Sequence, residues 1–326
     1  MSNKLIFDFC TDCVTVFYDN KIVFQEPSAI IITKSLEPSV VTYGLNAVKN
    51  RDFSGEDNIF VYPIRKGAVA HFDGVKLYIK SIFKEIKEKP STVEVCVLVS
   101  SCLDIEQKKD IEKAFIAAGC GNIYLLERLL AFSDYSQKSG IPLVCTIFGE
   151  ESDIGFIKER SIWSGYCLDM GINTVNNLLK KLFEETYKVY LSDLEIEKVI
   201  GKIGSLHIND TSRMEINGFD ILSGGVKRIS LCAKDIFEKV DYVYSRIIKI
   251  IEGALMAAPG DLVRQVADKG IIFCGTGVLI QGFEEYVYRK LKIFPKIIKT
   301  ADFYLEACYD LISDEEWLTS YLGIKL

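Results

Sequence analysis

Apolar and polar residues alternate along the chain in an order that occurs twice. In its first occurrence, short apolar runs separated by polar turns fill residues 5–42, a pattern typical of a β-meander. Helical spacing over 75–86, a continuous apolar run at 93–100 and a helix from Asp104 to Ala118 follow, while 43–60 is polar and irregular. Helix alternating with strand predicts parallel strand pairs in this part of the sheet.

The same order begins again at residue 142. Strands and turns are predicted over 143–167, a helix over about 175–187 and a long helix over 233–257. Gly270 then opens a strand that ends in a glycine loop. One hydrophobic core rarely serves more than about 250–300 residues. A chain of 326 residues with this repeated order therefore predicts two lobes.

Composition excludes several classes of protein. Apolar residues make up 49% of the chain and the net charge is only −6, which excludes whole-chain disorder. The excess of acidic residues argues against a partner bound through nucleic-acid phosphates. Asp8 interrupts the first apolar run, so no secretory signal is expected, and no apolar window suits a membrane span. These features predict a cytoplasmic protein.

Cysteine usage agrees with a reducing compartment. Most of the ten cysteines lie inside apolar runs, as small buried residues do in reduced proteins. Cys10 and Cys13 have the spacing of a redox or metal pair, but no second Cys/His pair accompanies them. We interpret them as strand residues on either side of a turn.

Three polar turns leave strands at comparable points of the two halves: 8–13, 149–153 and 275–277. Ligands of two-lobed α/β proteins lie where strand ends of the lobes face each other. Backbone N–H groups of such turns bind phosphate oxygens, and glycine permits close approach of the backbone. Each turn alone is a weak signal, since a glycine pair after a strand is usually a tight turn.

The order and spacing of these turns resemble MreB, the family of bacterial actin homologues, from residue 4 to about 297. Asp8-Phe-Cys-Thr11 resembles the first phosphate hairpin, and Ala267-Asp-Lys-Gly-Ile-Ile-Phe-Cys-Gly-Thr-Gly277 resembles the segment that binds adenosine. The stretches that carry the resemblance are 8–28, 62–72, 117–127, 216–228 and 259–282.

The resemblance implies an α/β, actin-like fold with two lobes, each a mixed sheet with flanking helices. Lobe I is expected over 1–141 and 298–326, with a small insertion at about 33–62. Lobe II is expected over 142–297, with a small insertion at about 182–245. ATP with Mg²⁺ is the expected cofactor if the site functions.

The resemblance also implies the residues of the site. Glu127 matches the glutamate that orients the attacking water, and Asp8 matches a metal-binding position. The nucleotide-binding positions are Asp8, Thr11, Gly149, Ser152, Gly171, Asn173, Lys202, Gly275, Thr276 and Gly277.

The chain departs from the family at the phosphate loops. Cys10 and Cys13 replace a glycine and an asparagine, and Thr146 replaces a metal-facing aspartate. Phe148 and Glu150 replace glycines of the second loop, where like charge near a polyphosphate costs roughly 1–4 kcal/mol. Two interpretations stay open: a working ATP site, or a former cleft with impaired nucleotide binding and at most weak ATPase activity.

By resemblance, the expected function is a cytoskeletal protein that polymerises head to tail and acts in cell shape or intracellular organisation. Its partners are then other copies of itself or another MreB-type protein, with nucleotide as the only small-molecule ligand. The segment 84–91 is charged, so membrane contact is expected to be weak or indirect, at the inner face of the membrane through a partner. The alternatives are a non-polymerising regulator of such filaments, an actin-fold ATPase or kinase, and an assembly factor that binds a peptide.

Overall fold

The structure is a computed structural model that describes residues 4–51 and 55–325. Its strands are β1 (Lys4–Phe9), β2 (Cys13–Tyr18), β3 (Lys21–Pro27), β4 (Ile30–Thr33), β5 (Val40–Tyr43), β6 (Asn58–Val61), β7 (Ile64–Arg65), β8 (Ala68–Val69), β9 (Glu94–Val99), β10 (Asn122–Glu127), β11 (Leu143–Ile147), β12 (Ser152–Lys158), β13 (Ser161–Leu168), β14 (Val189–Tyr190), β15 (Arg213–Asp220), β16 (Val226–Cys232), β17 (Ile271–Cys274) and β18 (Pro295–Ile298). Its α-helices are α1 (Gly44–Lys49), α2 (Phe72–Ile86), α3 (Ile105–Ala118), α4 (Ser133–Ser139), α5 (Ile172–Leu182), α6 (Asp193–Ile203), α7 (Ala233–Ala257), α8 (Gly260–Lys269), α9 (Phe283–Leu291), α10 (Ala301–Ser313) and α11 (Glu315–Lys325).

The first large sheet has the strand order β10-β9-β1-β2-β3. β10, β9 and β1 run parallel, and β1, β2 and β3 run antiparallel, so the sheet is mixed as expected. Phe7 of β1 packs on one face against Phe83 of α2 and Phe115 of α3. Successive strand residues point to opposite faces, so the neighbouring Asp8 points to the other face, where α10 lies.

The second large sheet has the order β13-β12-β11-β17-β18, with β11, β17 and β18 parallel. Two small three-stranded sheets, β5-β4-β6 and β14-β15-β16, and the pair β7-β8 complete the strands of the described chain. Parallel strands within each large sheet bring the loops that follow their carboxyl ends to the same end of the sheet. The polar turns identified in the sequence lie at this end.

The chain divides into two compact units. The first comprises Met1–Gly140, Gly155–Cys167 and Thr300–Leu326, and the second comprises Ile141–Ile154 and Leu168–Lys299. The lobes expected from the sequence stay a prediction. They differ from these units over Gly155–Cys167, which lies in the first unit, and at Ile141 and residues 298–299, which lie in the second.

Local sequence signals explain the helix boundaries. The Asp104 carboxylate accepts a hydrogen bond from the N–H of Gln107, and the Gln107 side-chain oxygen accepts one from the N–H of Asp104. This capping box starts α3. Gly119 ends α3 with φ 106°, a conformation that glycine adopts at little cost. The long helix α7 has the bounds expected from its apolar spacing.

Three expectations were wrong. The stretch 43–60 contains α1 and β6, both too short to show a period. α5 begins three residues earlier than expected, at Ile172, and gives way to a π-helical turn at Phe183–Tyr187. Cys102 and Cys167 form a disulfide, with Cα atoms 5.5 Å apart, because the loop after β9 lies beside the end of β13.

None of the helices within residues 4–51 and 55–325 offers an apolar stretch that would cross a membrane.

Candidate functional site

The expected metal-binding carboxylate, Asp8, lies in a buried ion pair. Arg128 donates from Nε to Asp8 Oδ1 at 2.9 Å, and the two side chains are 0% and 2% exposed. Tyr304 of α10 donates its hydroxyl to Oδ2, and Cys10 places its thiol 3.2 Å from Oδ1. Both carboxylate oxygens are therefore engaged by side chains of the first unit.

The chain brings Arg128 to this position because it follows β10 directly and opens a short 3₁₀-helix, Arg128–Phe132. β10 and β1 are both paired to β9, so their carboxyl ends lie near each other. A buried charge pair is tolerated only where geometry and further hydrogen bonds offset desolvation, and Tyr304 supplies one of these bonds. The guanidinium neutralises Asp8 as a metal cation would.

This arrangement does not fit Mg²⁺ in the manner that the family resemblance implies. Mg²⁺ needs oxygen ligands at close to ideal octahedral positions. The carboxylate of Asp8 already accepts hydrogen bonds at both oxygens, and a fixed cation lies against one of them. Thr146, at the other expected metal-facing position, offers a neutral hydroxyl and is fully buried in β11.

The two other expected residues of the first unit also contact protein groups. The hydroxyl of Thr11 accepts the N–H of Gly67 at 3.2 Å. Glu127 pairs with Lys108 of α3 at 3.3 Å and accepts a hydrogen bond from Ser101 at 3.4 Å. Lys108 and Ser101 thus hold both carboxylate oxygens of Glu127 within the first unit, and its role in orienting a water stays a prediction.

In the second unit, the loop after β11 uses the N–H groups that would bind phosphate. The N–H groups of Ile172 and Asn173, at the start of α5, donate to the carbonyls of Phe148 and Gly149 at 3.0 and 2.7 Å. The N–H of Gly171 donates to the hydroxyl of Thr174 at 3.1 Å. The N-terminus of a helix is a natural anion site, and here carbonyl groups of the loop after β11 occupy it.

Gly171 makes this contact possible. A Cβ at this position would lie 1.9 Å from the carbonyl oxygen of Phe148, so only glycine lets the loop and the helix start approach this closely. Ser152 donates its hydroxyl to the carbonyl of Met170 at 2.7 Å, which closes the same loop from its other end. Glu150 and Glu151 in this loop are both buried.

The third turn packs on the same strand end. A Cβ on Gly275 would lie 2.2 Å from the carbonyl oxygen of Ile147, and one on Gly277 would lie 2.3 Å from its side chain. The carbonyl of Gly277 accepts the hydroxyl of the buried Tyr244 at 2.6 Å. Thr276, between the two glycines, is exposed.

The structure thus brings most of the expected second-unit residues together at the end of β11. Gly149, Gly171 and Asn173 form one contact, and Gly275 and Gly277 form another through Ile147. Lys202 lies apart from these hydrogen bonds, exposed in the last turn of α6.

Cys10 and Cys13 flank a turn, as the sequence indicated. The N–H of Cys10 donates to the carbonyl of Cys13 at 3.1 Å, and β2 begins at Cys13. Burial, and then the charge of Asp12, raises the pKa of the Cys13 thiol to about 12. A redox or metal-binding thiol needs a lowered pKa, so this environment favours neither role.

We therefore expect iodoacetamide at pH 8 to alkylate Cys13 about a thousandfold more slowly in the native protein than in urea. The thiolate is the nucleophile, and its fraction falls tenfold for each unit by which the pKa rises above the pH. Peptide mass spectrometry of timed samples measures both rates, with the urea-unfolded chain as the control. Native labelling within tenfold of the unfolded rate would contradict this assignment.

Three residues that contact Asp8 or Glu127 were not predicted from the sequence: Arg128, Tyr304 and Lys108. Arg128 had one available signal, because it is a charged residue with apolar neighbours at 129–132. Tyr304 and Lys108 belong to helices whose apolar spacing says nothing about their partners.

Known proteins resemble this chain over most of its length. The cell shape-determining protein Mbl of Bacillus cereus is 23% identical over 281 residues, 83% of this chain and 84% of the relative. MreB of Escherichia coli is 20% identical over 307 residues, 90% and 88% of the two chains.

Solved structures match this chain in fold over most of its length. MreB 5 of Spiroplasma citri bound to AMPPNP matches with a TM-score of 0.83 at 20% identity, over 99% and 98% of the two chains. The MamK double helical filament matches with a TM-score of 0.75 at 17% identity, over 93% and 96%. The expected actin-like fold is confirmed.

The family model for MreB/Mbl protein matches residues 2–305. This chain of 326 residues therefore belongs to the MreB/Mbl family.

Proposed function

We propose that this protein is an actin-like cytoskeletal protein that assembles head to tail into filaments and acts in cell shape or intracellular organisation. Family membership over residues 2–305 is the observation that carries the proposal. Supporting it, the fold matches that of MamK, whose solved structure is a double helical filament, and relatives bear the name cell shape-determining protein. Subunits that meet through unlike surfaces without closing a ring form open filaments.

We further propose that assembly does not require nucleotide. MreB 5 of Spiroplasma citri has been solved with AMPPNP and with ADP, so nucleotide binding occurs in a protein of this fold. In this chain, however, Asp8 is neutralised by Arg128, and the first N–H groups of α5 donate to carbonyls of the loop after β11. The internal contacts replace those that ATP and Mg²⁺ would otherwise make.

We also propose that the protein reaches a membrane surface only through a partner. The last turn of α2 and the residues after it carry five charged side chains, and such a charged stretch does not insert into a bilayer. They are Lys84, Glu85, Lys87, Glu88 and Lys89.

Pelleting at high speed with negative-stain imaging tests both parts. We expect filaments in equal amount with ATP and Mg²⁺, with ADP and Mg²⁺, and with neither. Filaments with ATP alone would contradict the nucleotide part and retain filament assembly. No filaments in any condition would contradict assembly and favour the alternative of a regulator that binds filaments of another family member, which the occupied phosphate loops also suit.

A further inference from the structure

A groove of about 910 Å³ follows the outer edge of the first sheet, beside β10. One wall comes from the start of α3, the other from α11, and the floor is β10 itself. The consecutive strand residues Ile123, Tyr124 and Leu125 all line the groove. Since successive side chains of a strand point to opposite faces, a groove that touches all three lies along the strand edge.

β10 is an edge strand, with a neighbouring strand on the β9 side only in the described chain. The N–H of Glu127 turns away from β9 and meets the hydroxyl of Tyr321 at 3.4 Å. N–H and C=O groups of alternate residues lie on the same side of a strand. Those of Ile123 and Leu125 therefore point into the groove, where they can pair with another strand.

The groove has room for a single extended strand that carries no flanking helices. Helices α3 and α11 flank the edge on both sides, so the β10 edge of a second copy would bring its own flanking helices into collision with these. Six residues of β10 offer a pairing length of roughly 20 Å. Ile105, Leu318 and Leu322 give the walls an apolar character.

The charged residues of the groove indicate which charge a bound segment should carry. Lys108 is paired with Glu127, and Lys109 with Glu106, so the cations of α3 are already matched. Glu112 of α3 adds a carboxylate near the start of β10, and Glu94, beside Asn122, adds a second one that has a 4.0 Å ion-pair contact with Lys4. A basic residue at one end of the occupant would complement these acids.

We propose that this groove binds an extended peptide segment of a partner protein, apolar along its length and basic at one end, which adds to the sheet as a strand beside β10. Main-chain hydrogen bonds to Ile123 and Leu125 supply affinity in this mode of recognition, and the walls select side chains. Peptide binding here does not depend on filament assembly or on nucleotide.

Selection from a displayed library of random twelve-residue peptides on the full-length protein tests the proposal. We compare the wild type with Leu322→Glu, which places a charge on one wall, and with Ile105→Glu, which places it on the other. Ile105 is 71% exposed and opens α3, so glutamate there leaves folding intact. Thr319→Glu, on an exposed position of α11, is the matched control.

We expect enriched peptides with alternating apolar residues and a terminal Lys or Arg. Their affinity should fall at least tenfold on both wall variants and stay unchanged on Thr319→Glu. In hydrogen exchange, a selected peptide should slow the amides of Ile123 and Leu125. Either of two results overturns the proposal: no peptide is enriched on the wild type, or the enriched peptides bind both wall variants as tightly as the wild type.

Discussion

Replacing Arg128 by methionine is expected to lower the free energy of unfolding of the first unit by about 3–5 kcal/mol, the usual cost of leaving a buried charge without its partner. Asp8 is 2% exposed, so water cannot take over the role of the guanidinium. Both tryptophans of the chain, Trp163 and Trp317, belong to the first unit. Tryptophan fluorescence during urea unfolding therefore reports on this unit.

Two further variants separate charge from packing. Combining Arg128→Met with Asp8→Asn removes both charges, and we expect it to recover most of the lost stability, since neutral groups of similar shape tolerate burial. Lys113→Met removes a cation from an exposed pair with Asp110 in the same unit, and its unfolding midpoint should match the wild type. Equal midpoints for Arg128→Met and Lys113→Met would contradict a structural role for the buried pair.

The second large effect is expected at Gly275. Alanine there is expected to lower the stability of the second unit by about 2–6 kcal/mol, from roughly 1–3 kcal/mol of backbone strain and a similar cost of overpacking. Gly275 has φ 102°, and its added Cβ would lie 2.2 Å from the carbonyl oxygen of Ile147. That oxygen belongs to a buried strand, which has little room to move. Hydrogen exchange of the β17 amides measures the loss.

Gly253→Ala is the matched control, because Gly253 lies within α7, about one turn before its end at Ala257, and the added Cβ would have no atom within 4 Å outside the helix backbone. Alanine is expected to stabilise this helix by about 0.5–1 kcal/mol. If Gly275→Ala exchanged as slowly as the wild type, the glycine would be dispensable for the fold and its presence would need another explanation. With the expected result, loss of nucleotide binding in a Gly275 variant would not identify a nucleotide site, since the loop itself would be disturbed.

Contacts within the protein, in place of contacts with a ligand, give the phosphate loops a structural role. Cys10, Phe148 and Glu150 stand where the family resemblance has glycines, and all three are buried. Larger side chains there fill space near the strand ends and add contacts within each unit. Hydrogen bonds within the protein, such as those from Arg128 to Asp8 and from Asn173 to Gly149, hold these loops in place without a ligand, and this is the physical argument for our proposal that assembly does not require nucleotide.

Much of the fold was available from the sequence. Apolar spacing set the bounds of α7, and the pair Asp104 and Gln107 marked the start of α3, because both signals act within a few residues. The order of the polar turns along the chain indicated the family. Short elements such as α1 were not predicted, since six residues are too few to show a period.

The sequence by itself determined the actin-like fold, its repeated order of elements and the turns where a ligand site would lie. Only the tertiary structure decided what those turns contact. Arg128 is 120 residues from Asp8, and Tyr304 is 296 residues away from it. Periodicity and capping signals reach only a few residues along the chain, whereas a buried carboxylate takes its partner from whichever side chain the packed strands and helices bring to it.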